Sequence, residues 1–462
     1  MSTLSQLLST ARDGLTAQSY GLGVTGQNIS NVNTPGYVRR EAMLETRALG
    51  TQTTGSVEAV GLRRVTDTFL ERRQFEATGL SSAASEHDSR LASLEALFND
   101  SAGTGLGGAV DAMFGSFSRL AASPSDSTVR QSVLDSASNL AQRVRDTANT
   151  IAKGRQDLLQ DAQATTTQVN DRSRAIARLN TQISAAETQG NDAADLKDQR
   201  NRLLLELASM VDVRTIVSGS GIMVQASGTT LVEGGEAREL SISVDSSSRM
   251  QILASRSDGP PTDVTRFLTG GKLAGIREAR DVDLLEVGQK LDQFVFDVAT
   301  AVNDQHRQGF GLDGATGRDI FAVTTVPEGA ARALTLSADV AGNPNALAAS
   351  SSAGALPGNS DNAAALSDLA STPVVFGAKR TAAEGYGDIV GDVATRRADS
   401  RRMVESREAI SAQIDAMHEA MSGVSLDEEF VNLTKFQRAY QASARVLTTT
   451  DEILQELVNL KR

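Results

Sequence analysis

The chain has 462 residues, 40% hydrophobic but only 4% aromatic, with 39 glycines, no tryptophan and no cysteine. That length suggests two to four domains with real cores, and the lack of cysteine excludes disulfides, thiolate catalysis and Cys-based zinc sites. A formal net charge of −12 without a long basic run disfavours nucleic acid and acidic membrane surfaces as partners.

Met1 to Arg12 has no basic region followed by an apolar core, so it does not read as a cleavable secretory signal. No stretch approaches the roughly 20 apolar residues that span a bilayer. A first helix is predicted from a 3-4 alternation along Leu4, Leu8, Ala11, Leu15, Gln18, Leu22, Thr25, Ile29 and Val32. Gly14, Gly21, Gly23 and Gly26 interrupt it, and each costs an isolated helix up to about 1 kcal/mol relative to alanine. The helix is expected to be poorly ordered alone and to form against partners.

The seam ends in Asn28-Ile-Ser-Asn-Val-Asn-Thr-Pro-Gly-Tyr37. Thr34 precedes proline and is pushed toward extended backbone, and Pro35-Gly36 suits the centre of a type II turn. Residues 38–70 read as strands or an extended arm. Helical spacing returns from Val65 to Phe98. A loop at 103–108 and a short helix from Ala109 to Leu120 follow, and Ser123-Pro-Ser-Asp126 starts the next helix. That helix keeps one heptad register through Val144, Ala148, Ile151, Arg155, Leu158, Ala162, Thr165, Val169, Arg172, Ile176, Leu179, Ile183 and Ala186. Gly190-Asn191-Asp192 breaks it, and Leu196, Arg200, Leu203, Leu207 and Met210 resume helical spacing.

From about Val211 the period becomes two, with turn clusters between short strands, so a small antiparallel β unit is expected to end near Asp258-Gly-Pro-Pro261. Leu273 to Ala301 is helical again. Residues 311–385, rich in Gly, Ala and Ser, read largely as loop. A second long helix runs from Ile389 to Met421. The last helix opens at Ser425-Leu-Asp-Glu428, a capping box. Its stripe is Phe430, Leu433, Gln437, Tyr440, Ala444, Leu447, Asp451, Leu454 and Val458. The two terminal stripes are compatible with an intramolecular core or with an intermolecular coiled coil.

Few residues here suggest reaction chemistry. Residues 103–108 match G-x-G-x-x-G, but no βαβ unit surrounds them. His87, His306 and His418 lie far apart and are expected on solvated helix faces. Asp313 to Asp319 lacks the carboxylate run of a calcium loop. Asp427-Glu428-Glu429 suits the dipole at a helix start, and the seam arginines Arg155, Arg172, Arg396 and Arg407 can lay their stems along the helix. No catalytic residue, cofactor site or metal site is expected.

Asn28 to Tyr37 resembles the N-terminal signature of the flagellar rod, hook and hook-associated axial proteins, and Ser425 to Leu454 is similar to their shared C-terminal helix. Leu94 to Asp100, Leu120 to Asp126, Asp195 to Leu204, and Gly271 to Gly275 leading into Asn303 to Gly311 resemble hook-associated members of that family. The ending Leu454 to Arg462 looks more like a hook protein terminus, so a hook or rod structural protein is the alternative.

The resemblance implies a structural subunit of the hook–filament junction, secreted through the flagellar type III apparatus after a transient cytoplasmic stage and required for filament assembly and motility. It implies a ring of copies of itself. The partners would be the hook protein, a second junction protein below the filament, and an export chaperone on the C-terminal helix. It assigns assembly seams to Leu4, Leu8, Leu15, Leu22 and Ile29, and to Phe430, Leu433, Tyr440, Ala444, Leu447, Leu454 and Val458. The turn motif is Asn31, Asn33, Thr34, Pro35, Gly36 and Tyr37.

The expected fold is mainly α with small β units. Residues 1–64 with 423–462 would form a coiled-coil-like terminal domain with an extended arm. Residues 65–211, 266–320 and 386–422 would form a long-helix bundle, 212–265 a small β domain, and 321–385 an outer loop or small β region.

Overall fold

The computed structural model describes residues 2–48, 55–99, 105–190, 192–218, 221–256 and 259–459. The chain opens with α1 (Ser2–Ser30), followed by a hairpin of β1 (Arg40–Ala48) and β2 (Gly55–Arg64). Then come α2 (Thr68–Leu97), α3 (Leu106–Ala122), the 62-residue α4 (Ser127–Thr188) and α5 (Ala194–Met210). Asp67 and Asp126 cap α2 and α4 by accepting two backbone N–H bonds each.

Strands β3 (Arg214–Ser218), β4 (Gly221–Ala226), β5 (Thr229–Glu233) and β6 (Glu236–Ala237) form a four-stranded antiparallel sheet in chain order. Strands β7 (Leu240–Val244), β8 (Met250–Arg256) and β9 (Gly259–Asp263) form a second, three-stranded one. Helix α6 (Gly271–Glu278) passes through a π-helical turn into α7 (Leu284–Arg307). Strands β10 (Phe321–Ala322) and β11 (Thr335–Leu336) pair around α8 (Ala330–Ala333), and α9 (Asp361–Asp368) follows. The long helices α10 (Ala382–Ser422) and α11 (Leu426–Asn459) close the chain.

The fold is the expected one: mainly helical, with small sheets inserted and the terminal helices packed together. Helix α4 is its spine. Val144, Ala148, Ile151, Leu158, Ala162, Val169, Ile176 and Ile183 are all buried along one face, as the heptad reading required. Two asparagines on α4 fasten the sheets to it. Asn170 donates to Leu240 O and accepts from Leu240 N–H, both at 2.9 Å, imitating a neighbouring strand. Asn180 donates to Ile222 O at 2.9 Å and to Gly234 O at 3.0 Å.

The structure departs from the sequence reading at several points. Helix α3 begins at Leu106, inside the segment read as a loop at 103–108, whose first two residues lie outside the described ones. Strand β9 continues past the Gly259-Pro-Pro261 stretch taken as the end of the β unit, whose Asp258 also lies outside them. Helix α10 starts at Ala382, several residues early, because Thr381 and Glu384 form a complete capping box.

Residues 311–385 contain short helices and a strand pair, and they bury Phe321, Leu334, Val340, Leu347 and Leu366 in the same apolar cluster as the long helices. Arg130 on α4 is wholly buried beneath them and donates to Pro124 O at 2.6 Å, Pro344 O at 3.2 Å and Leu347 O at 2.8 Å. Burial, only partly offset by the charge of Asp313, pushes its pKa down to about 10.

The histidines also differ from expectation. His306 is 1% exposed, not solvated. Its Nδ1 lies 2.7 Å from Arg318 O, and its Nε2 is 2.8 Å from the Ala348 N–H. A carbonyl on one side and a donor on the other fix the neutral Nδ1–H tautomer, so Nε2 accepts from Ala348. His87 lies 2.7 Å from Asp283.

Burial holds the His306 pKa below the ordinary histidine value, so the neutral form is the one the fold stabilises. The stability it contributes is therefore fully present above the unfolded-state pKa, about 6.5, and is lost as pH falls through the lower folded value. Lowering pH from about 7.5 to about 5 is expected to lower the urea midpoint of the wild type more than that of His306→Gln. The variant itself is expected to lose about 2–3 kcal/mol at neutral pH from two broken buried hydrogen bonds.

Candidate functional site

The terminal helices pair antiparallel, and three rungs define how. Asn28 faces Glu429, Gly21 faces Phe436, and Gly14 faces Ser443. Each rung lies seven residues from the next on both helices, so the pair keeps a heptad step. Gly21 is the tightest point: a Cβ there would lie 2.6 Å from a carbon of the Phe436 ring. At Gly14 it would lie 3.1 Å from Ser443 Oγ. Two of the glycines that weaken α1 as an isolated helix are thus what lets α11 approach it.

The rung at Asn28 is the centre of a polar knot. Asn28 is 1% exposed. Its Nδ2 donates to Arg40 O at 2.8 Å and to Glu429 Oε2 at 3.1 Å. Its Oδ1 accepts from Tyr37 Oη at 2.9 Å and from Arg40 N–H at 3.1 Å. Glu429, also buried, takes Arg39 Nε on its other oxygen at 2.9 Å. Glu428 pairs with the same guanidinium at 2.7 Å. The Arg39 N–H donates to Ser422 O at 2.9 Å, tying the strap to the end of α10.

The hairpin register brings Arg40 opposite Arg64. Two like charges facing each other are unfavourable unless something neutralises them. Asp198 on α5 does so, receiving Arg40 at 2.9 Å and Arg64 at 2.8 Å, while Arg40 also reaches Asp195. Burial acts to lower the Arg40 pKa, but the hydrogen bonds to these two aspartates outweigh it and hold the pKa above arginine's ordinary value. Burial also raises the Tyr37 pKa. The Arg40 guanidinium stacks 4.7 Å from the centre of the Tyr37 ring.

The turn that delivers Tyr37 to Asn28 has the predicted geometry. Tyr37 N–H donates to Thr34 O at 3.1 Å, and Gly36 has φ of +74°, the left-handed conformation a type II turn needs at that position. Asn33, Thr34, Pro35 and Gly36 are exposed, Asn31 and Tyr37 half-buried. Thr34 donates to the Asn31 side chain at 3.1 Å.

The apolar seam residues lie beside the rungs. Leu4, Leu8, Leu15, Leu22 and Ile29 are all half-buried. Leu15, Leu22 and Ile29 each follow a rung residue by one position, about 100° around the helix. On α11, Leu433, Ala444, Leu447 and Leu454 are half-buried, whereas Phe430, Tyr440 and Val458 are 53%, 41% and 65% exposed. Leu15, Tyr440, Arg40 and Asp195 line one groove of about 740 Å³. Sequence reasoning passed over Glu429 as a helix-dipole residue, and it missed Arg40 and Asp198. An acidic residue sharing one heptad row with an aromatic, Glu429 with Phe436, was the available signal.

This geometry, a terminal pair locked to a helical body by a strap, accompanies a direct sequence match. The family description "Flagellar hook-associated protein FlgK helical domain" matches residues 91–321, half of the chain. The chain belongs to the flagellar hook-associated protein FlgK family. It is a structural protein of the bacterial flagellum at the hook–filament junction.

The descriptions "Flagella basal body rod protein" and "Flagellar basal body rod FlgEFG protein C-terminal" match only the ends, residues 8–37 and 418–460. The ends are therefore shared with rod and hook proteins, and the FlgK-type interior is what separates this chain from the hook or rod alternative. The chain is 26% identical to flagellar hook-associated protein 1 of Bacillus subtilis, over 98% of this chain and 97% of that one. It is 24% identical to the Salmonella typhimurium protein of the same name, over 99% and 100%. The solved structure of the flagellar hook junction protein FlgK from Burkholderia pseudomallei shares the fold. Its TM-score is 0.68 at 16% identity, covering 75% of this chain and 99% of that one.

Asn28→Ala is expected to strand Tyr37 Oη and both backbone groups of Arg40, weakening the closure of this FlgK-type terminal pair by about 3 kcal/mol. Amide exchange in α1 and α11 should then speed up by about two orders of magnitude while α4 stays protected. Gly21→Ala should loosen the same two helices. Gly23→Ala, where a Cβ would meet nothing within 4 Å, should leave exchange unchanged or slow it.

Proposed function

We propose that the paired termini are the module by which this FlgK-family subunit assembles into a ring on the hook. One observation supports this above others. Helix α11, 34 residues long, fully buries only Glu429 and Thr450 among its described residues. Phe430, Val431, Val446, Ile453, Leu457 and Val458 stand 43–68% exposed instead. Neither α1 nor α11 contributes to the main apolar cluster. A pair so lightly packed gains its missing burial from other copies, which offsets the ordering entropy on assembly.

In this reading residues 1–64 with 423–462 form the assembly domain and line an inner tube. Residues 65–211, 266–320 and 386–422 form the helical body, with 212–265 and 321–385 turned toward solvent. The hook protein is the neighbour on one side and a second junction protein, below the filament, on the other. The subunit leaves the cytoplasm unfolded through the flagellar type III apparatus, using uncleaved N-terminal information. A chaperone holds α11 until then. Loosely packed terminal helices suit this route, because little packing has to be undone before threading.

Deleting about the first 30 residues, or those after Ser425, is expected to leave a folded, soluble remainder that no longer incorporates at the hook. Filament growth with either truncated protein would overturn the proposal. A null strain separates the same-class alternative: loss of a junction subunit leaves complete hooks without filaments, whereas loss of a hook protein leaves no hooks.

A further inference from the structure

A second surface lies beyond the knot, on the body of the molecule. Between the start of α2 and strand β3 runs a groove of about 590 Å³. Phe69 and Ile216, 62% and 47% exposed, form apolar edges. Arg72, Arg73 and Arg214 stand along it, all exposed, and none pairs with a carboxylate among the described residues. Two carboxylates line the same groove. Asp212 is engaged, accepting from the N–H and Oγ of Ser227 at 3.1 Å each. Three guanidinium groups therefore face two carboxylates, Asp212 and Glu76. A groove with apolar edges and more arginines than carboxylates stands out in a chain of net charge −12.

The complementary surface is carried by the same sequence. In the last turns of α11, Ile453 and Leu457 are 43% and 47% exposed and lie one turn apart. Glu452 and Glu456 form the adjoining row, also exposed, and neither pairs with a cation among the described residues. Two apolar side chains flanked by two carboxylates match a groove of two apolar edges flanked by arginines.

The groove is out of reach of its own α11 end. Phe69 follows closely on Arg64, which Asp198 holds in the knot. Glu429 is held in the same knot, and Ile453 lies 24 residues beyond it on one continuous helix, about 36 Å away.

We propose that the acidic, apolar end of α11 from one copy docks in the Phe69–Ile216 groove of a second copy, joining one subunit's terminal pair to its neighbour's body. This rests on the self-assembly put forward above and names the contact that sets its register.

A charge exchange in the full-length protein, expressed in the null strain, tests it. Arg73→Glu with Arg214→Glu is expected to lower the number of subunits labelled per hook about tenfold, and Glu452→Arg with Glu456→Arg to do the same. Combining all four should restore labelling to within about twofold of wild type. As a second arm, Thr215→Cys with Leu457→Cys, in a chain that has no cysteine of its own, should give disulfide-linked dimers and longer multimers in oxidised junction preparations.

Groove variants that label hooks at the wild-type level would overturn the proposal. So would a four-fold variant no better than the two-fold ones, junctions built from the cysteine protein without dimers, or a cross-link to a different protein. Each of these outcomes is distinct from failure of terminal self-assembly, which would show as truncated chains still entering the junction.

Discussion

The carboxamide of Asn28 is buried where four parts of the chain meet, and a buried amide must place its donors and its acceptor or lose about 1–3 kcal/mol for each group left over. Here they are spread over the arm, the turn and α11. The N–H groups go to Arg40 O on the arm and Glu429 on α11, while the oxygen takes the Arg40 N–H and the hydroxyl that the turn delivers from Tyr37. The rest of the terminal architecture follows. Helix α1 must end within a turn of Asn28, the strap must reverse at Pro35-Gly36, and α11 must begin with Glu429 in its first turn. The hairpin must also enter in the register that sets Arg40 against Arg64 over Asp198.

Away from that anchor the terminal pair is built for closeness rather than for burial. Gly14 and Gly21 bring the two helix backbones together, which fixes their relative register, and the apolar side chains buried on α1 are the small ones Ala11, Ala17 and Val24. The body is the reverse: one continuous cluster of buried leucine, valine and phenylalanine side chains runs from Phe75 to Val393. The large buried side chains thus reside in the body, while the larger apolar side chains of the termini stay half-buried or exposed. That division suits the assembly role proposed for the terminal pair.

The legibility of each element in the sequence follows from what packs it. Most of helix α4 could be read from its heptad row, where only Arg155, Arg172 and Ala186 stay half-buried from Val144 to Ala186. The Pro35-Gly36 turn was legible because those two residues restrict the backbone by themselves. The α1–α11 seam was legible in part: Ala11 and Thr25 of the predicted stripe are buried, but the rungs are glycine, asparagine, serine and glutamate beside a single phenylalanine, which a count of hydrophobic residues passes by. Residues 311–385 hid their contribution to the core because short irregular segments bury Phe321, Leu347 and Leu366 without any period. His306 likewise carries no mark in sequence of the Ala348 N–H it accepts from. The capping box at Thr381 and Glu384 was visible and passed over.

The termini pair within one chain, locked at Asn28 and Glu429, and in the proposed assembly their uncovered faces turn to other subunits. A density map of the intact hook–filament junction at side-chain resolution tests it most directly. Within every subunit Gly21 should lie against Phe436 and Asn28 against Glu429, with Phe430, Val431 and Leu457 covered by neighbouring chains. Terminal helices that exchange partners between chains at Gly21 and Phe436, or a terminal pair standing in solvent on the outside of the structure, would contradict it.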